Sequence, residues 1–338
     1  MKQWQETAEI LSEVAAEARA GRRSAVATVV RISGSAYRRP GAKLLVRADG
    51  GTSGGVSGGC LEADVRERAL GVMRDGVPYL VHYETGSDDR QPFGLGLGCD
   101  GAIDVFIQAA TPAFLAAAQQ IRTALEGDAP FSISTVLAGD GAGRVVVRTG
   151  AEVAGGTAVH GDPGAEVFTE VLTPPPLLVV VGAGDDAVPL VRYATDAGFR
   201  VTLVDHRPAF LSPERFPGEL RRLRLRAEDA AAASVPWGPG AYAVVKTHNL
   251  AHDREWIRHL RRAGVAYVGV LGPRARTEEI LRQLDAEGDG RVYGPVGLDL
   301  GADGPEQVAL SVVAELLAVR AGRTPGHLRA RKGTIHEA

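Results

Sequence analysis

Both cysteines of this 338-residue chain sit in glycine-rich loops. Cys60 closes Gly58-Gly59-Cys60 at an expected strand-to-helix turn. Cys99 lies in Gly94-Leu95-Gly96-Leu97-Gly98-Cys99-Asp100-Gly101, just before an expected strand. A helix N-terminus favours thiolate over thiol, so Cys60 is the first candidate for a reactive sulfur and Cys99 the second. The alternative for both is packing as a small apolar group. Neither has a C-x-x-C partner or a histidine at ligand spacing, which argues against zinc.

Between the first strand and these loops, Arg38, Arg39 and Lys43 form a cationic loop suited to a phosphate clamp, because guanidinium matches phosphate bidentately. In the second half, Gly182-Ala183-Gly184-Asp185-Asp186-Ala187 fits G-x-G-x-x-G/A after an apolar strand and before a helix, and Asp205 follows at the end of the next strand. That context describes a dinucleotide-type loop: glycines admit a pyrophosphate to a helix N-terminus and the acid accepts from ribose hydroxyls. Asp185 and Asp186 put two carboxylates where phosphate should sit, and Arg207 is placed for a 2′-phosphate. Further on, His248, His252 and Asp253 are candidate metal ligands if helical spacing brings the two imidazoles one turn apart; a plain helix cap at Asn249 or Asp253 is the alternative. Arg274 and Arg276 offer cations on the opposite side of the crevice.

The elements that must position these groups follow from apolar periodicity. A helix is expected at 4–20, strands at 24–32 and 43–46, a helix at 61–74, and strands at 79–83 and 102–108. Residues 113–172 read as a helix at 113–125 and then strands that either complete the first sheet or form an antiparallel insert. Thr173-Pro174-Pro175-Pro176 is a stiff linker. Beyond it, strands at 177–181, 200–204, 241–246 and 267–271 alternate with helices at 187–197, 255–263, 277–285 and 305–320, as in a parallel doubly wound sheet. The expected architecture is therefore α/β, with an N-terminal mixed α/β domain over 1–172, the linker over 173–176, a Rossmann-like domain over 177–322 and a tail over 323–338.

A formal net charge of −3 argues against a general nucleic-acid or anionic-membrane binder. Two cysteines are too few for a disulfide framework, no apolar run reaches the roughly 18 residues of a membrane span, and the first residues are polar rather than signal-like. A cytoplasmic protein is expected.

GSAYRRPGAKLLV, GGVSGGCLEADV and GLGLGCDGAIDVF resemble the N-terminal motifs of the XdhC/CoxI family, the xanthine dehydrogenase accessory factors. VVVGAGDDAVPLVRYATDAGFRVTLVDHRP, KTHNLAHD, YVGVLGPRARTEEIL and GPVGLDLGADGPEQVALSVVAEL resemble that family's Rossmann-type C-terminal domain. The resemblance implies a protein that binds molybdenum cofactor (molybdopterin or its cytidine dinucleotide form), promotes its sulfuration with a cysteine desulfurase, and helps insert it into a client molybdenum hydroxylase. It implies that the loop from Tyr37 to Lys43 and the glycine loop ending at Cys60 hold the anionic pterin. Two positions depart from the family pattern: Asp185 stands where a histidine is usual, and Asp100 replaces the first glycine after Cys99. A homodimer is the expected assembly. The alternatives are an NAD(P)-dependent oxidoreductase using the Gly182 loop, and a non-catalytic partner protein.

Overall fold

The computed structural model describes residues 2–34, 38–84, 101–153, 155–162, 165–218 and 220–331. Cys99 and the end of the tail lie outside the described residues. The chain divides into two compact units, Met1–Pro174 and Pro175–Ala338.

The first unit opens with helix α1 (Lys2–Arg19), followed by strands β1 (Ser24–Gly34), β2 (Lys43–Arg47) and β3 (Thr52–Gly54). Helix α2 (Glu62–Asp75) then leads to β4 (Tyr79–Glu84) and β5 (Gly101–Ala109). The five strands form one antiparallel sheet in the order β3-β2-β1-β5-β4. Ala25, Ala27 and Val29 of β1 pack with Val65, Ala69 and Val72 of α2, while Val26 packs with Ile10, Leu11 and Val14 of α1. Burial on both faces explains why β1 reads as a near-continuous apolar run instead of an alternation.

Helix α3 (Pro112–Leu125) begins at Thr111, whose side chain accepts a hydrogen bond from the Phe114 amide. Four strands follow: β6 (Phe131–Val136), β7 (Val145–Thr149), β8 (Ala158–His160) and β9 (Val167–Leu172). They build a separate antiparallel sheet in the order β7-β6-β9-β8, which settles the open reading of 113–172 in favour of the antiparallel insert.

In the second unit, β10 (Leu177–Val181), α4 (Ala187–Asp196), β11 (Arg200–Asp205), β12 (Arg221–Arg224), β13 (Ala241–Val245), α5 (Leu250–Arg262), β14 (Tyr267–Val270), α6 (Arg274–Gln283), β15 (Val292–Tyr293) and α7 (Gly304–Arg320) follow in turn. The six strands are parallel in the order β12-β11-β10-β13-β14-β15, the doubly wound Rossmann order. All five residues of β10 are buried, as a central strand covered by helices requires. The strand order runs outward from β10 in one direction through β11 and β12 and in the other through β13, so the C-terminal ends of β10, β11 and β13 open a crevice at the switch point. Among the described residues, no helix is long and apolar enough to cross a membrane.

Candidate functional site

In the first unit, β2–β3 pairing brings the cationic loop and the glycine loop together: Leu44 lies opposite Gly54, and the Gly55 amide donates to the Lys43 carbonyl at 2.8 Å. A side chain at Gly54 would meet that carbonyl at 2.4 Å, so a close approach requires glycine there. The turn into α2 is organised by Ser57 and Glu62. The Ser57 hydroxyl accepts from the amides of Gly59 (3.0 Å) and Leu61 (3.2 Å) and donates to the Glu62 carboxylate, which also accepts from the Ser57 amide at 2.9 Å. Burial opposes the charge on Glu62, but these donors outweigh it and lower its pKa. Sequence reasoning passed over this pair, because its five-residue separation does not match the S-x-x-E spacing of a capping box.

Gly58, Gly59 and Cys60 are all exposed on that turn, and Gly59 takes φ +115° with open space where a side chain would stand. An exposed glycine turn next to an accessible thiol fits a pterin-metal cargo, since thiolate is a soft ligand and the bare glycines admit a close approach. Arg39 is exposed as well.

The other two cations of the expected clamp each have a carboxylate partner. Lys43 is buried, and its ammonium donates to both carboxylate oxygens of Glu170 (2.9 and 2.7 Å) and to the Gly41 carbonyl at 2.9 Å. It points to the face of β2 opposite Leu44, the side on which Leu45 packs against α1, so it too is covered and a carboxylate must accompany it. Arg38 pairs with Glu6 of α1 with only 16% of its side chain exposed, so it ties the loop to the helix.

In the second unit, the Gly182 loop has the expected form. Gly182 takes φ +106°, and a side chain there would strike the Lys246 carbonyl at 2.5 Å. Ala187, at the third glycine position, is fully buried. Asp205 closes β11 but does not present a free carboxylate. Its Oδ2 accepts from the Ala183 amide (2.8 Å) and Arg207 Nη2 (2.9 Å), and its Oδ1 accepts from the Arg207 amide (2.9 Å) and Nε (3.0 Å). Burial alone would raise its pKa; the Arg207 fork and the two amides overcome this and hold it at about 2. The Arg207 guanidinium stacks 3.8 Å from the Phe210 ring centroid.

The two aspartates after Gly184 diverge. Asp185 points to solvent and pairs with Arg215 at 2.9 Å. Asp186 turns back over the loop, where its carboxylate pairs with Lys246 Nζ and lies 3.2 Å from His248 Nε2. A side chain on Gly184 would meet Asp186 Oδ1 at 2.8 Å. Lys246 is the residue sequence reasoning missed; its signal was a lysine closing the apolar run AYAVV, with 2% of its side chain exposed. Its pKa is lowered, first by burial, with Asp186 opposing.

The metal reading of His248, His252 and Asp253 is corrected. Helix α5 starts at Leu250, capped by Asn249, whose side chain accepts from the His252 amide at 3.1 Å. His248 therefore lies outside the helix, at φ +58°, and the one-turn spacing does not arise. Asp253 is fully buried, accepting from the Thr247 hydroxyl (2.5 Å) and from Arg276 (2.5 Å). No metal-binding group of His, Cys, Asp or Glu occurs among the described residues. Arg276 thus braces α6 against α5 rather than facing phosphate, and Arg274 is exposed at the start of α6. The crevice itself is a cleft of about 300 Å³, walled by Leu225, Ala227 and Trp256 and edged by Asp205, Arg207 and His252.

Comparison with known proteins gives two family matches: the XdhC and CoxI family over residues 17–84, and the XdhC Rossmann domain over 178–316. A probable xanthine dehydrogenase subunit from Bacillus subtilis is 32% identical over 311 residues, covering 87% of this chain and 92% of that one. The molybdenum cofactor insertion chaperone PaoD of Escherichia coli is 26% identical, covering 89% of this chain and 84% of its own. A crystal structure of a xanthine dehydrogenase from Bacillus halodurans superimposes with a TM-score of 0.78 at 27% identity, over 93% of this chain and 96% of that one.

Proposed function

Because the chain belongs to the XdhC/CoxI family, we propose that it is an accessory protein that carries molybdenum cofactor to a xanthine dehydrogenase-type hydroxylase. The relative named as a molybdenum cofactor insertion chaperone supports the same role. The observation that carries the reading is the exposed Gly58-Gly59-Cys60 turn, set beside the Arg39 loop by β2–β3 pairing. In this reading the cofactor is cargo. The Gly58 amide on the exposed turn meets its anionic groups, and the Cys60 thiol faces its metal or the incoming sulfur. The fuller form adds terminal sulfuration with a cysteine desulfurase as partner, a cytoplasmic setting and a homodimeric assembly. Lys43 and Arg38 have no part in it, because each already serves a carboxylate of its own unit.

An NAD(P)-dependent oxidoreductase has less support. The Asp205 carboxylate already accepts the two amides and the Arg207 fork that a ribose would have to displace.

The test is activation of a client hydroxylase produced with the wild-type chain, with Cys60→Ala, or without the chain. The wild type raises the molybdenum content and specific activity of the client. Cys60→Ala lowers that gain by at least about tenfold, since losing even an outer partner of a metal costs that much. Equal activation by the variant removes Cys60 from the account.

A further inference from the structure

The crevice of the second unit has the fold of a dinucleotide site but not its free space. In the usual arrangement the second glycine of the loop is bare so that a pyrophosphate can lie over it, against the helix N-terminus. Here that space holds the chain's own Asp186 carboxylate, with Oδ1 positioned 2.8 Å from where a Gly184 side chain would begin. Asp186 is fixed from two sides, by the buried Lys246 ammonium and by His248 Nε2 at 3.2 Å. A buried ammonium needs an anion beside it, so Lys246 keeps Asp186 in place. The adjoining cleft remains open. Its lining runs from Val181 and Gly182 to Trp256 and includes neither Gly184 nor Asp186. At about 300 Å³ it stands at the lower end of ligand-pocket volumes, enough for one nucleoside and too small for a dinucleotide.

We propose that this cleft is a nucleoside site whose pyrophosphate subsite is closed by Asp186. The base lies against Leu225, Ala227 and Trp256, which line the cleft, and the ribose lies toward the half-exposed Arg207 and leaves the bonds of Asp205 in place. Asp186 acts there as an internal stand-in for phosphate, holding the space over Gly184 at the start of α4. The ligand is either a free nucleoside or the nucleoside end of a larger molecule whose phosphates leave the crevice by another path. This goes beyond the cargo reading of the first unit and does not depend on it.

Titration calorimetry of the full-length chain with adenosine, AMP and NAD⁺ tests the proposal, and the three probes separate the two sources. Wild type is expected to bind adenosine, with AMP and NAD⁺ no tighter. Asp186→Asn removes a like charge from beside the phosphate position, and is expected to tighten AMP and NAD⁺ by at least about tenfold while leaving adenosine within about twofold. Should the amide variant fail to fold in a melting curve, Asp186→Ser supplies the same loss of charge with a group that caps helices. Tighter binding of AMP or NAD⁺ than of adenosine by the wild type overturns the closed subsite. So does an unchanged preference in the folded variant. Absence of adenosine binding in both overturns the nucleoside site itself.

Discussion

At the residue scale, the decisive feature is which charges are already spoken for. Asp205 keeps 2% of its side chain exposed and is held ionised by Arg207 and two amides, with its pKa at about 2 against an ordinary 3.8. A depressed carboxylate pKa contributes stability that is present above the unfolded value and lost as pH falls through the folded one. Asp205→Asn is therefore expected to cost about 2 kcal/mol at neutral pH, and the difference from wild type should shrink as pH falls from about 4 toward 2. Urea unfolding of both chains across that range checks it; a difference that stays constant contradicts the assignment. Lys43 makes a second case. Glu170→Ala strands its ammonium in the interior and is expected to cost about 3–5 kcal/mol, whereas Lys43→Met combined with Glu170→Leu should recover most of that loss. If Lys43 were a cofactor clamp, the double variant would lose cargo binding; the expected outcome is that binding is kept.

At the scale of elements, the glycine loops differ in what they demand. Gly182 combines φ +106° with a side-chain position 2.5 Å from the Lys246 carbonyl, so Gly182→Ala is expected to destabilise the second unit by at least about 2 kcal/mol. Gly76, at the end of α2, has φ +73° and open space, and Gly76→Ala should cost only about 1 kcal/mol. Denaturant midpoints of the two variants measure the contrast, and equal losses would contradict it. The same physics explains what the sequence made legible. The strand–loop–helix at β10 and α4 was readable because an apolar run, bare glycines and a terminal acid all point one way. Strand β12 was missed because its residues are Arg221-Arg222-Leu223-Arg224, charged as an edge strand can be. The Asp186–Lys246 contact joins residues 60 apart, and no local pattern announces it. The partners of Arg38 and Lys43 were not legible, because a basic loop looks alike whether it faces phosphates or the carboxylates of Glu6 and Glu170.

At the scale of the whole molecule, each unit carries its own candidate site. The first presents an accessible thiol on a glycine turn; the second presents a cleft at the end of a parallel sheet. The central claim is that the first of these holds molybdenum cofactor. It is tested most directly by anaerobic titration of the purified chain with isolated molybdenum cofactor, reading the retained fraction by the fluorescence of its oxidised pterin. The account predicts saturable retention by the wild type and at least about tenfold weaker retention by Cys60→Ala, with unchanged retention by Lys43→Met/Glu170→Leu. Absence of retention by the wild type, or equal retention by Cys60→Ala, would contradict it.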